Sequence, residues 1–139
     1  NTSLDPNRLM LPPRGNAPLV VETAGGLHVP LTRAWQQIDQ LQRWALPVVL
    51  VARSGLGTLN HTLLSLEALR TRRIPVLGLI LNGPPHPDNP RTLRALGDVR
   101  VLAELPPLDP LNAEALGKAW RNQGLGPKFE ALANRPDNR

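Results

Sequence analysis

The chain contains no cysteine, so it has neither a disulfide framework nor a cysteine-based metal site. Tyrosine is absent, and aromatics make up only 3% of the residues. The core must therefore be built from Leu, Val and Ala, and there are too few rings to stack the bases of a single strand. Lysine is nearly absent. Of 16 basic residues 14 are arginine, and the two lysines, Lys118 and Lys128, come late. No apolar run approaches the length of a membrane span, and no signal-peptide core follows Asn1. A cytoplasmic protein with no membrane or nucleic-acid partner is the expectation.

What is present suits one α/β domain or most of one: 139 residues, 41% of them hydrophobic. The net charge of +5 and the pI near 11.2 require a nucleic-acid reading to be weighed. Only Arg70, Arg72 and Arg73 cluster, however. They fall at the end of a predicted helix, where cations complement the helix dipole. A solvated, dipole-matched helix end accounts for them.

Along the chain, residues 1–17 are polar and rich in Pro and Gly, and are expected to form a loop or flexible end. Residues 18–22 read as a buried strand stopping at Thr23-Ala24-Gly25-Gly26. Thr32 is a candidate N-cap for a helix to about residue 46, with Trp35, Ile38, Leu41 and Ala45 on one face. Residues 47–52 form a second apolar run, and the helix beyond Gly57 carries Leu59, Leu63, Leu66 and Leu69 at helical spacing. A third strand is predicted at 75–81, a short helix at 91–96, a fourth strand at 99–103 and a last helix at 111–122. Residues 123–139 are expected to be a mobile tail. The pattern predicts a parallel sheet of about four strands with helices on both faces, in a domain spanning 18–122.

In such sheets ligands bind beyond the carboxyl ends of the strands. Glu22 closes an apolar run, where its carboxylate either holds a hard cation such as Mg²⁺ or caps the following turn. Gly25 and Gly26 let backbone N–H groups approach an anion, or simply make a tight turn. Gly55, Gly57, Thr58, Leu59 and Asn60 join a strand to a helix, an arrangement that favours anions because the first helical N–H groups lack internal acceptors. Asn82-Gly83 is first of all a turn, but an amide can also match a purine edge. Pro106, Pro107 and Leu108 follow Glu104-Leu105 as rigid, apolar chain suited to one wall of a flat heterocycle slot, or to a plain loop. His28 and His61 carry no assigned role, and none is chosen for Arg53.

These pieces in this order resemble dethiobiotin synthetase. The resemblance rests on Glu22-Thr23-Ala24-Gly25-Gly26, on Leu56-Gly57-Thr58-Leu59-Asn60-His61, on the strand ending in Asn82, and on Glu104-Leu105-Pro106-Pro107-Leu108. It spans roughly residues 18–120. It implies carboxylation and ring closure of 7,8-diaminononanoate, with ATP and Mg²⁺ as cofactors and CO₂ as second substrate. By the same resemblance Glu22 would bind Mg²⁺, and Ala24, Gly25 and Gly26 would flank phosphates or substrate. Gly57, Thr58, Leu59 and Asn60 would hold the diamine's carboxylate tail across a homodimer interface. Asn82 would read the adenine, and Pro106, Pro107 and Leu108 would line its slot. No catalytic residue is assigned.

Two departures stand out. Thr23 replaces the family's usual glycine, which would strain any left-handed backbone there. No Gly-x-x-x-x-Gly-Lys-Ser/Thr loop occurs. The sequence is therefore expected to be the C-terminal part of such an enzyme, a partial P-loop NTPase-like domain inactive alone, whose N-terminal segment carries the phosphate loop. An open sheet edge is expected as well. Two alternatives remain: another P-loop relative, of the cobyrinic-acid amidase or partitioning ATPase type, and a non-enzymatic binding or dimerisation module without the loop.

Overall fold

In the computed structural model, residues 4–13, 15 and 17–133 are described. Three strands, β1 (Val48–Arg53), β2 (Val76–Asn82) and β3 (Val101–Leu105), form one parallel sheet in the order β1-β2-β3. The helices are α1 (Gln37–Trp44), α2 (Thr58–Thr71), α3 (Asn89–Gly97), α4 (Ala113–Asn122) and α5 (Leu125–Ala133). A 3₁₀ turn, Pro6–Arg8, precedes them.

The sheet is a run of parallel neighbours joined through helices, the topology expected of right-handed crossovers. Helices α2 and α3 cover one face. Leu66 of α2 and Leu93 of α3 are buried against Leu79 and Leu81 of β2 and Val99. Each fully buried leucine contributes about 1.5–3 kcal/mol relative to an exposed one. Helix α5 covers the other face, where Leu125 and Leu132 pack with Leu102 and Ala103. The rings of Trp120 on α4 and Phe129 on α5 stack with centroids 5.5 Å apart. Gly78 in β2 has no Cβ to spare: one built there would lie 2.8 Å from the Arg100 carbonyl and 2.6 Å from Leu102 Cγ. That absence lets β2 and β3 approach closely.

The two edges of the sheet differ. At β3, Gln123 Oε1 accepts from the Glu104 N–H (3.3 Å), and Lys128 Nζ donates to the carbonyls of Leu102 (2.6 Å) and Gln123 (2.7 Å). Side chains thus stand in for a neighbouring strand. At β1 no fourth strand pairs among the described residues, and Val51 is 60% exposed. This is the open edge expected from the sequence.

Three expectations need correction. The strand expected at 18–22 is absent: the segment is unpaired, and Val20 is 90% exposed. Its apolar composition suits a strand, but a strand also needs a hydrogen-bonding edge within reach. The chain that follows is drawn to α1 instead. Ile38 N–H donates to Leu27 O (2.8 Å), Gln37 N–H donates to Val29 O (2.9 Å), and Leu27 packs against the cluster of Ile38, Leu69 and Ile74. The sheet accordingly has three strands rather than four. Second, the first helix does not begin at Thr32. That hydroxyl accepts from Ala34 N–H in a local turn, and the helix starts after Gln36, whose N–H donates to the Asp39 carboxylate (2.8 Å). This bond belongs to a capping box between Gln36 and Asp39. Third, residues 125–133, expected to be a mobile tail, form α5 with Leu125 and Leu132 buried. The short pattern around Gly126 and Pro127 hides a helix that only the apolar face of the sheet stabilises. Residues 134–139 lie outside the described residues. The loop expected at the start is docked where it is described: Gln40 Nε2 and Trp44 Nε1 both donate to Leu9 O, at 3.0 and 2.8 Å.

Among the described residues no helix is long and apolar enough to cross a membrane.

Candidate functional site

The carboxyl ends of the three strands lie abreast. Arg53 pairs with Asn82 across β1–β2, and Asn82 pairs with Leu105 across β2–β3. The chain beyond each strand is then tied to its neighbour. Ser54 N–H donates to Asn82 O (3.1 Å), and Gly83 N–H donates to Leu105 O (2.8 Å). The buried Ser54 hydroxyl donates to Pro84 O, and the buried Asn89 amide donates to Ser54 O (3.1 Å). Gly83 has φ +133°, a conformation open to glycine, and a Cβ there would meet Ser54 Oγ at 2.8 Å. This lattice leaves the Asn82 side chain exposed at the centre of the edge.

The anion-suited junction is at the same edge. Gly57, with φ +87°, forms the N-cap of α2. Thr58 is buried, its hydroxyl 3.4 Å from that of Thr62, one turn on; Leu59 is partly buried and Asn60 exposed. Leu56 projects fully into solvent. Pro106 and Pro107 are exposed and Leu108 half-buried, immediately after β3. A hollow of about 430 Å³ opens beside them, between the β2–α3 loop with His86, the α3 arginines Arg91 and Arg94, and Glu104.

The structure thus brings Gly57, Thr58, Leu59, Asn60, Asn82, Pro106, Pro107 and Leu108 to one edge of the sheet. The contacts that hold Ala24, Gly25 and Gly26 run elsewhere. Gly26 O accepts from Gln37 Nε2 (3.2 Å), which fastens this loop to the first turn of α1. Glu22 is exposed, four residues before that anchor. Thr23 is not among the described residues with positive φ, so the strain foreseen for it does not arise.

The arginine cluster serves structure. Arg70 Nη2 donates to Gly97 O and to Asp98 O (3.0 Å), at the C-terminus of α3, and Arg72 pairs with Asp39. The Gln36 N–H and Arg72 hold the Asp39 carboxyl below its ordinary range. Both favour the ionised form. Ser54 and Asn89, which organise the edge, have no assigned role in the sequence reading. The Asn-Pro start of α3 is the signal that was available for Asn89, since proline is suited to a first helical turn.

A profile of the AAA domain family matches residues 1–115. The chain belongs to that family. It is also similar to dethiobiotin synthetases. The ATP-dependent dethiobiotin synthetase BioD of Brucella anthropi is 55% identical over 109 residues, 78% of this chain and 51% of that protein. BioD of Agrobacterium fabrum is 52% identical over 120 residues, 86% of this chain and 56% of that protein. The biotin biosynthesis bifunctional protein BioCD of Bordetella avium is 54% identical over 123 residues, 88% of this chain and 26% of that protein. The chain spans about half the length of the BioD relatives it matches. With the AAA domain match, the parallel sheet with helices on both faces is the α/β, P-loop NTPase-like architecture expected from the sequence, with three strands in place of about four.

Proposed function

We propose that this chain supplies part of the nucleotide- and diamine-binding surface of an ATP-dependent dethiobiotin synthetase. In that reaction an amine of 7,8-diaminononanoate takes up CO₂ as a carbamate. ATP phosphorylates the carbamate, and the second amine closes the ring with release of phosphate. The observation that carries the reading is the alignment of Asn82 between Arg53 and Leu105, with Gly57 to Asn60 at the same edge. Asn82 offers an amide donor and acceptor to the adenine, with Pro106, Pro107 and Leu108 as the wall of the slot. The N-terminal turn of α2, Gly57 to Asn60, receives the carboxylate of the diamine on its free backbone N–H groups, aided by the Asn60 amide.

Mg²⁺ belongs to the proposal in a limited way. Among the described residues no group of three metal-ligating side chains is assembled. Glu22, exposed and single, can supply one oxygen, and Mg²⁺ ordinarily completes its shell with phosphate oxygens and water. Ala24, Gly25 and Gly26 flank the phosphates or the substrate. A homodimer also belongs to the proposal. Leu56 and Leu64 are exposed beside Asn60, and Leu64 shares a helix face with it at i+4. A second copy would cover that apolar surface.

Calorimetry on the protein expressed from its complete reading frame tests the assignment. Asn82→Ala should weaken ATP at least tenfold, the worth of about 1.4 kcal/mol, and leave the diamine unchanged. Asn60→Ala should do the reverse. Equal losses for both ligands in either variant would refute the division of roles.

A further inference from the structure

His86 lies four residues beyond Asn82, in the loop that leads to α3. Its Nδ1 receives two backbone N–H groups, from Asp88 (3.3 Å) and Asn89 (3.2 Å). These belong to the start of α3, where a helix leaves its donors without internal acceptors. Asp88 makes no side-chain cap bond to them; its carboxylate accepts from the Thr92 hydroxyl (3.0 Å) and pairs with Arg91 (3.3 Å). The imidazole is therefore the cap. A ring nitrogen that accepts N–H groups carries no hydrogen, so the ring is neutral with its hydrogen on Nε2. Protonation would turn this acceptor into a donor facing two donors, and would place a cation at the positive end of α3.

The capped residues connect to the strand edge in two steps. The Asn89 amide donates to Ser54 O (3.1 Å), and Ser54 N–H donates to Asn82 O (3.1 Å). Both intermediaries are buried, so where α3 begins is coupled to where Asn82 sits. We propose that His86 is a positioning residue for Asn82, and that the acceptor its Nδ1 presents to the start of α3 is required for full nucleotide affinity. This rests on the assignment of Asn82 to the nucleotide. The charged groups sharing the hollow with His86 are Arg91 and Arg94 from α3 and Glu104 from β3, with Asp88 adjacent in the chain.

The experiment uses the protein expressed from its complete reading frame. Nitrogen-15 NMR of the imidazoles reads the tautomer. Calorimetry reads ATP affinity, with Mg²⁺ present. Wild type, His86→Asn, His86→Ala and Asn82→Ala are compared. The expected tautomer is Nε2–H. His86→Ala should bind ATP about fivefold more weakly, the factor of one lost N-cap, and His86→Asn, whose side-chain oxygen can accept the same N–H groups, should restore the wild-type affinity. An Nδ1–H tautomer, or His86→Ala binding ATP as tightly as wild type, would overturn the proposal. ATP binding indifferent to Asn82→Ala would overturn the nucleotide reading and this proposal with it, while the tautomer still reports whether His86 caps α3.

Discussion

Replacing Gly83 with alanine tests the packing of the strand edge directly. Gly83 sits at φ +133°, a region that L residues other than glycine enter at a cost of about 1–3 kcal/mol. The new methyl would also lie 2.8 Å from Ser54 Oγ, inside contact distance. Ser54 has little room to yield: it is buried, its hydroxyl is bonded to Pro84 O, and its carbonyl accepts from Asn89. Overpacking of this kind costs about 1–3 kcal/mol. The two effects together predict a loss of about 2–6 kcal/mol, measured as a fall in urea midpoint at constant m-value. Removing the hydroxyl should recover only the steric part. In the double variant Ser54→Ala, Gly83→Ala, the coupling energy should favour the pair by about 0.5–3 kcal/mol, the range for residues in contact. ATP affinity should fall with Gly83→Ala under folding conditions, because Gly83 N–H fixes β2 to Leu105 next to Asn82. A single variant within about 0.5 kcal/mol of wild type, the scatter of an ordinary surface change, would refute both the strain and the contact.

Two further predictions concern stability elsewhere. Asp39→Asn should destabilise the protein at neutral pH, since the carboxylate accepts from Gln36 N–H and pairs with Arg72. Because folding lowers this carboxyl's pKa, its contribution is fully present above the ordinary value of about 3.9 and is lost as pH falls through the lowered folded value. The stability gap between wild type and Asp39→Asn should therefore close in acid, and a gap that widens there would reject the assignment. Lys128→Met keeps the aliphatic stem but removes the donors to Leu102 O and Gln123 O. It should cost about 1.5–3 kcal/mol, the worth of a charge-assisted hydrogen bond, and expose the outer edge of β3. Denaturation together with sedimentation checks this; full stability with no added self-association would show that the edge needs no cover.

Strands β1, β2 and β3 and helices α2 and α3 were legible in the sequence because their information is local. Continuous apolar runs such as residues 48–52 read as strands of a covered sheet, and Leu59, Leu63, Leu66 and Leu69 of α2 recur at helical spacing. The ends of these strands, and so Asn82 and the Gly57–Asn60 junction, follow from the same pattern. Residues 18–22 show where that logic stops. They have a strand's composition but pair with no strand, and pairing is a property of two segments rather than one. Helix α5 shows the converse: a weak local pattern made helical by Leu125 and Leu132 meeting β3.

By itself, then, the order of apolar runs and glycine-bearing junctions determined a parallel α/β domain and the residues at its carboxyl edge. Only the tertiary structure decided which of those residues meet. It ties Ala24 to Gly26 to α1 and recruits Ser54, Asn89 and His86 to the frame around Asn82. The physical reason is that hydrogen bonds between segments some 30 residues apart are satisfied by proximity in space, on which sequence spacing is silent.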